Sequence, residues 1–212
     1  MDNNKFIKNL NSIIGEPNTL IADWNKQPFL KGWRYGEGDA IAVAKPGTLF
    51  ELWQVLQLCV DMDIIVIMQA ANTGLTGGST PYGYDYDRPI LIINTMRLSD
   101  IQIIDKGKQI IGFSGSTLFN LEDKLKSYGR EPHSIIGSSC IGASIIGGVC
   151  NNSGGALVKR GPAYTELSLY AKIDSKGKLI LVNELGVHLG NTPKEILTNL
   201  QDSNYGQSDI QY

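Results

Sequence analysis

A glycine-rich stretch between residues 137 and 155 constrains the fold of this chain more than any other feature. It holds six glycines and four serines, interleaved with Ile and Val. Glycine adopts positive φ and lets a backbone approach a ligand that a Cβ atom would exclude. The apolar residues argue against a flexible linker, which has no need of them. Two interpretations follow: a tightly packed turn region, or a backbone whose N–H groups bind a polyanionic or planar cofactor.

Composition and charge exclude several classes of protein. Of the 212 residues, 42% are apolar and 19% are charged, which is typical of a globular chain with one large domain or two small ones. The net charge is −2 without a basic cluster, so nucleic-acid binding is not expected. The longest apolar run, 64–68, is too short to span a bilayer. The N-terminus lacks a secretory signal and the three cysteines lack CxxC spacing, so we expect a reduced, cytoplasmic protein.

The spacing of apolar residues predicts a chain that contains both helices and strands. Helices are expected over 4–15, 49–62, 117–128 and 193–200, and strands over 40–44, 64–68, 90–94, 101–104, 109–114, 166–174 and 178–183. The β-branched run 64–68 predicts a strand buried on both faces. Residues 16–38 are expected to be irregular. Residues 201–212 are expected to be a disordered tail, or the point at which a larger fold is cut.

A second glycine-rich loop follows the strand predicted at 64–68. Ligands of open α/β sheets lie at the carboxyl ends of the parallel strands, which is where this loop is placed. Its hydroxyl and amide side chains could donate hydrogen bonds, and its glycines expose backbone N–H groups: Asn72, Thr73, Thr76, Ser79 and Thr80, with Gly74, Gly77 and Gly78. Such a loop can hold a pyrophosphate without a cation.

Other phosphate-binding and catalytic motifs have little support. The sequence has no GxGxxG after a strand, which disfavours a Rossmann fold. Gly137 to Gly142 has the spacing of a Walker A loop, but Ala143 stands in place of the required lysine. The two histidines, His133 and His188, are distant, and GxSxG is absent, so neither a metal cluster nor hydrolytic catalysis is expected. A structural hydrogen-bonding role is favoured for His133 over a catalytic one.

Several long motifs resemble the family of bacterial quinone-dependent D-lactate dehydrogenases. They occupy residues 68–76 (MQAANTGLT), 78–81, 85–88, 129–134 (GREPHS), 136–155 and 160–166. The resemblance extends from about residue 5 to about residue 200. It implies an α+β fold, the two-lobed FAD-binding domain of the vanillyl-alcohol oxidase/para-cresol methylhydroxylase type. We expect a first lobe over 1–95, a second over 96–200, and a polar tail or truncation end over 201–212.

The resemblance also implies the cofactor and its contacts. The FAD pyrophosphate would be cradled by residues of the first loop, namely Ala70, Ala71, Asn72, Thr73, Gly74, Gly78 and Ser79. Further flavin contacts would come from Gly137, Ser144 and Gly154. Some relatives in the wider superfamily tether their flavin to a histidine in the first loop. This loop has none, so the expected FAD is non-covalent.

The family oxidises D-lactate to pyruvate and passes the electrons through the flavin to membrane quinone. Its members are considerably longer than this chain, and their substrate-binding cap and membrane-contacting regions lie further along. No catalytic residue and no metal ligand is therefore assigned here, and the isolated chain is expected to be inactive. The full-length family is expected to be peripheral on the cytoplasmic face of the inner membrane. Two alternatives stay open: a non-catalytic remnant that keeps the fold, and a flavoenzyme for another 2-hydroxy acid.

Overall fold

A computed structural model of the chain describes residues 2–133, 138–154, 159, 161 and 165–211. The helices are α1 (Asn3–Ile14), α2 (Asp23–Leu30), α3 (Leu49–Asp61), α4 (Leu118–Lys126), α5 (Ile145–Cys150) and α6 (Pro193–Gln201). The strands are β1 (Thr19–Leu20), β2 (Ala42–Ala44), β3 (Ile65–Gln69), β4 (Ile90–Asn94), β5 (Ile101–Ile104), β6 (Gln109–Gly112), β7 (Ser168–Ile173) and β8 (Leu179–Glu184). Mixed helices and sheets of this kind agree with the predicted α+β class.

Strands β1 to β4 form one sheet in the order β1-β2-β4-β3, in which β2, β4 and β3 are parallel and β1 is antiparallel. The central strand β4 is buried along its whole length. The edge strand β3 is only half-buried, and Met68 is exposed. The prediction that 64–68 is buried on both faces is therefore wrong beyond Ile64. A β-branched run occurs in central and edge strands alike, and the position in the sheet depends on distant partners.

Helices cover both faces of this sheet. Helices α1 and α3 pack on one face, against side chains that include Leu91 and Ile93. On the other face, Phe29 and Leu30 at the end of α2 pack against a cluster that includes Ile92. The expectation of irregular structure over 16–38 is wrong for α2. That helix has Pro28 inside and lacks a side-chain cap, so packing on the sheet stabilises it in place of local sequence features.

The predicted helix starts are confirmed by their capping hydrogen bonds. The Thr48 side chain accepts from the Glu51 N–H at the start of α3. Thr117 makes the equivalent bond at the start of α4. At α6 the predicted capping box is complete, since Thr192 and Glu195 each accept from the other's backbone. Helix starts are predictable because each cap is formed by residues three positions apart.

The second half of the chain is built from two antiparallel hairpins, β5–β6 and β7–β8, with α4 and α6. Its main core is made of Leu98, Phe113, Val187, Leu189, Leu200 and their neighbours, against which Leu49 and Leu52 of α3 also pack. The chain therefore passes from the core of the first half to the core of the second half near residue 95. This agrees with the expected division into lobes, which stays a prediction.

The polar end of the chain is ordered as far as residue 211. Ile210 forms a β-bridge with Val187, and both Tyr205 and Ile210 pack against the core of the second half. The Tyr205 hydroxyl also donates a hydrogen bond to the Gln102 side chain in β5. The expectation of a disordered tail over 201–212 is therefore wrong for residues 201–211, because α6 includes Gln201 and a few apolar anchors suffice to hold the mostly polar segment after it.

Candidate cofactor-binding site

The glycine-rich loop of residues 70–81 is fixed at its base by two buried amide side chains. Gln69 and Asn94 are neighbours in register at the carboxyl ends of β3 and β4, and their exposed fractions are 2% and 4%. The Gln69 amide nitrogen donates to the carbonyl oxygens of Ser79 (2.8 Å) and Phe29 (3.0 Å). The Asn94 amide nitrogen donates to the Gln69 side-chain oxygen (3.2 Å) and to the Ala70 carbonyl (3.1 Å). Both ends of the loop are thus bound to one amide pair.

A second pair of side chains crosses the interior of the loop. Asn72 has a left-handed backbone conformation with φ of 53°. Its amide nitrogen donates to the Lys31 carbonyl (2.8 Å), and its side-chain oxygen accepts from the Ser79 hydroxyl (2.7 Å). Asn72 and Ser79 are therefore engaged with each other through their side chains, which leaves their backbone N–H groups for other partners.

The backbone donors of the loop are open. No backbone N–H of residues 71–79 donates a hydrogen bond to another residue in the described part of the chain. Gly74, Leu75, Thr76 and Gly78 are exposed. A run of unbonded N–H groups in a loop at the carboxyl end of parallel strands is the arrangement that binds phosphate groups.

Two glycines of this loop are not required by the packing of the chain itself. Among the described residues, a Cβ atom added at Gly74 would meet nothing within 4 Å, and one at Gly78 would meet only the Thr76 hydroxyl oxygen, at 4.0 Å. Neither glycine has a positive φ. By contrast, Gly77 has φ of 77°, and its added Cβ would lie 3.1 Å from the Tyr35 carbonyl group. A cofactor could therefore occupy the space beside Gly74 and Gly78, which a Cβ atom would reduce.

The second glycine-rich segment, residues 138–154, is organised around the short helix α5. Ser144 is buried, and its hydroxyl oxygen accepts from the Gly147 N–H (3.0 Å) as the helix cap. A Cβ at Gly147 would lie 2.6 Å from that oxygen, so a side chain here would displace the Ser144 hydroxyl. A Cβ at Gly154 would meet no described residue within 4 Å, and Gly137 lies outside the described residues. Ser144 thus positions the segment, and its predicted contact with the cofactor stays a prediction.

Residues 113–116 connect the two glycine-rich regions. Thr95, next to Asn94, donates from its hydroxyl to the Ser114 carbonyl (3.2 Å). The Ser116 carbonyl then accepts from the Ile145 N–H at the start of α5 (2.9 Å). Met68, just before the loop base, lines the same apolar cavity of about 870 Å³ as Ile145. The structure thus brings Met68 of β3 and the helix of the second segment to one cavity, although no residue of loop 70–81 lines it.

The remaining residues of interest have simpler surroundings. His188 is exposed, and His133 is exposed at the edge of the cavity. Cys59 is buried in the core of the first half, and burial raises the pKa of its thiol to about 12. Within the described ranges, no group of three His, Cys, Asp or Glu side chains could hold a metal ion.

Sequence reasoning missed the amide pair that holds the first loop. Gln69 stands near the start of the motif at 68–76 and Asn94 at the end of a predicted strand, and nothing in the sequence links them. Their pairing depends on the parallel register of β3 and β4. One available clue was that Gln69 directly follows the strand predicted at 64–68, while Asn94 ends the strand predicted at 90–94.

Comparison with known proteins places this geometry in context. Residues 40–182 match the family described as FAD binding domain. The chain is 57% identical over 206 residues to the quinone-dependent D-lactate dehydrogenase of Haemophilus influenzae, covering 97% of this chain and 36% of that protein. It is 54% identical over 211 residues to the enzyme of the same name from Escherichia coli, covering 37% of that protein. The chain therefore spans little more than a third of these relatives.

Solved structures with the same fold have little sequence in common with the chain. One is p-cresol methylhydroxylase with substrate bound, with a TM-score of 0.64 and 16% identity over 96% of this chain and 41% of that one. Another is alkyldihydroxyacetonephosphate synthase, with a TM-score of 0.71 and 13% identity over 93% of this chain and 37% of that one. These likenesses confirm the predicted fold type.

Proposed function

Because the chain belongs to the FAD-binding domain family, as its match over residues 40–182 shows, we propose that loop 70–79 binds the pyrophosphate of FAD. The proposed contacts in the loop are Ala70, Ala71, Asn72, Thr73, Gly74, Gly78 and Ser79. The flavin is proposed to lie beside the second segment, with contacts from Gly137, Ser144 and Gly154.

One observation carries this proposal: the backbone N–H groups of residues 71–79 donate to no other described residue, and they lie beside Gly74 and Gly78, where the described residues leave open space. A diphosphate diester has a modest charge and can be held by several aligned N–H donors without a cation. The base of the loop is already fixed by Gln69 and Asn94, so the donors need little rearrangement to bind.

The chain's own residues would bind and orient the cofactor, while the flavin, when bound, would supply the hydride and electron chemistry. Ile145, Ile146 and Val149 line the apolar cavity on the side of α5. They would exclude water from that side of the site. Loop 70–81 contains no histidine, so we propose that FAD is held without a covalent bond.

The activity of the whole protein is proposed from its relatives. We propose that this chain is the FAD-binding portion of an enzyme that oxidises D-lactate to pyruvate and passes electrons through FAD to membrane quinone. The proposed location is the cytoplasmic face of the inner membrane, with membrane contact through regions outside this chain. Across the described residues, no helix is both long enough and apolar enough to cross a bilayer.

The test is an absorbance spectrum of the purified chain with and without added FAD. We expect flavin absorbance to co-purify or to be acquired on addition, and flavin fluorescence to be released when the chain is unfolded. A chain that is colourless and does not bind added FAD would contradict the proposal. Turnover of D-lactate with an artificial electron acceptor then tests the activity separately from FAD binding.

A further inference from the structure

We infer that Gln69 and Asn94 are positioning residues of the cofactor site, which hold loop 70–79 in its binding conformation before FAD arrives. The inference rests on the proposed function, because it assumes that this loop binds the pyrophosphate. Neither residue is among the proposed contacts of FAD. Their role is to act through the loop.

The orientation of both amides is fixed by their partners. The Gln69 nitrogen faces two carbonyl oxygens, those of Phe29 and Ser79, and a flipped amide would place oxygen against oxygen. Its oxygen then faces the Asn94 nitrogen, which also reaches the Ala70 carbonyl. The Asn94 oxygen accepts from the Met96 N–H (3.3 Å). Every side-chain polar atom of the pair is therefore partnered, and a fully satisfied buried network is rigid.

The loop depends on these bonds because its own backbone supplies few. No N–H of residues 71–79 donates to another described residue, so hydrogen bonds from the loop's own amides do not hold its shape. The Gln69–Asn94 pair binds one carbonyl at each end of the loop, and the Asn72–Ser79 bond crosses it. Without the pair, binding would include the entropic cost of ordering the loop.

The chain offers a matched control in its second half. Gln102 is also a strand glutamine with a buried side chain, and its exposed fraction is 8%. Its amide nitrogen donates to the Leu200 carbonyl (2.7 Å), and its oxygen accepts from the Tyr205 hydroxyl. The same substitution at Gln102 removes the same kind of bonds from a site that does not touch the loop.

The experiment compares Gln69→Met with Gln102→Met, each titrated with FAD well below its unfolding temperature. Methionine keeps the length of the side chain and removes its hydrogen bonds. We expect the Kd for FAD to rise about tenfold or more in Gln69→Met, because carbonyls at Ser79 and Phe29 lose their partners. The Kd of Gln102→Met is expected to stay within about twofold of the Kd of the unmodified chain, even if its unfolding temperature falls as much as that of Gln69→Met.

A second readout needs no cofactor. Leu75 is exposed in the middle of the loop, so a chymotrypsin-type protease can cleave after it. We expect faster cleavage at this position in Gln69→Met than in the unmodified chain and in Gln102→Met. A role in overall stability alone would raise cleavage equally in both variants. This readout separates failure of the inference from failure of the proposed function.

If Gln69→Met does not fold, Asn94→Ala tests the same pair at the Ala70 end with a smaller change. An FAD affinity unchanged in the folded variant, or weakened equally in Gln102→Met, would overturn the inference. An unmodified chain that ignores FAD would overturn the proposed function, and the cofactor role of Gln69 and Asn94 with it.

Discussion

The two glycine-rich regions of the chain are held in different ways. Loop 70–81 takes its shape from the side chains of Gln69 and Asn94, and most of its backbone donors have no partner among the described residues. Segment 138–154 is held by backbone bonds and by the Ser144 cap. Glycine content alone therefore does not reveal function. A glycine can relieve a close packing contact, as at Gly147, or leave room for a ligand, as at Gly78.

The largest expected effect is a loss of FAD affinity when Gly78 is substituted. We expect Gly78→Val to lower FAD affinity about a hundredfold or more, because its branched side chain would occupy the space proposed for a phosphate oxygen. The unfolding temperature is expected to change little, since the nearest described atom to an added Cβ is the Thr76 hydroxyl oxygen, at 4.0 Å. FAD titration and thermal unfolding of the same sample measure both quantities.

Gly77→Val is the control for Gly78→Val, because it places the same side chain in the same loop at a glycine that the fold itself needs. Gly77 has φ of 77° and lies against Tyr35, so a side chain is expected to cost about 2 kcal/mol or more of folding free energy. An unchanged FAD titration of Gly78→Val would contradict the placement of the pyrophosphate on this loop.

A smaller effect is expected in the second region, from Ser144→Ala. Loss of this cap should lower the free energy of unfolding by about 1 kcal/mol, because the Gly147 N–H loses its acceptor. FAD affinity is expected to fall much less than in Gly78→Val. Denaturant unfolding measures the change, with Ser12→Ala on the exposed side of α1 as the control. A stability equal to that of the unmodified chain would show that the cap does not hold segment 138–154.

Cysteine labelling tests whether FAD covers the second glycine-rich region, and it needs no substitution. Cys140 and Cys150 are exposed in the second region, whereas Cys59 is buried with a thiol pKa raised to about 12. At mildly alkaline pH we expect Cys140 and Cys150 to react with a disulfide reagent, and Cys59 to react only on unfolding. Saturating FAD should slow the first two reactions several-fold. Labelling rates that ignore FAD would place the flavin away from segment 138–154.

The smallest expected effect is that the stability of the fold and the affinity for FAD depend differently on pH. Backbone N–H groups of Asn191 and Thr192 lower the pKa of Glu195, and those of Lys178 and Lys176 lower the pKa of Asp174. A carboxyl group whose folded pKa lies below its unfolded pKa stabilises the fold above the unfolded pKa. That stabilisation is lost as the pH falls through the folded pKa. Both groups lie in the second half of the chain.

The base of loop 70–81 is held by neutral amides, so these carboxyl groups do not affect it directly. We expect the unfolding temperature to fall with acidification while FAD affinity stays nearly constant in the folded chain. Glu195→Gln should remove part of the pH dependence of unfolding. An FAD affinity that falls together with stability over this range would contradict the distinction between the two regions.

The sequence predicts those parts of this fold that depend on neighbouring residues. The starts of α3, α4 and α6 follow from Thr48, Thr117 and Thr192, each of which accepts from a residue three positions further along. The burial of β3 could not be predicted, because a strand becomes an edge through the arrangement of other strands. The pairing of Gln69 with Asn94 joins residues far apart in sequence. The loop could be identified from its motif, but the side chains that hold it could not.

The central claim, that loop 70–79 binds the pyrophosphate of FAD, is tested most directly by a nuclear magnetic resonance titration of the backbone amides with FAD. The account predicts the largest shifts at the amides of loop 70–79, Gly78 and Ser79 among them, with smaller shifts in segment 138–154. Saturable binding that leaves the amides of loop 70–79 unchanged would contradict it.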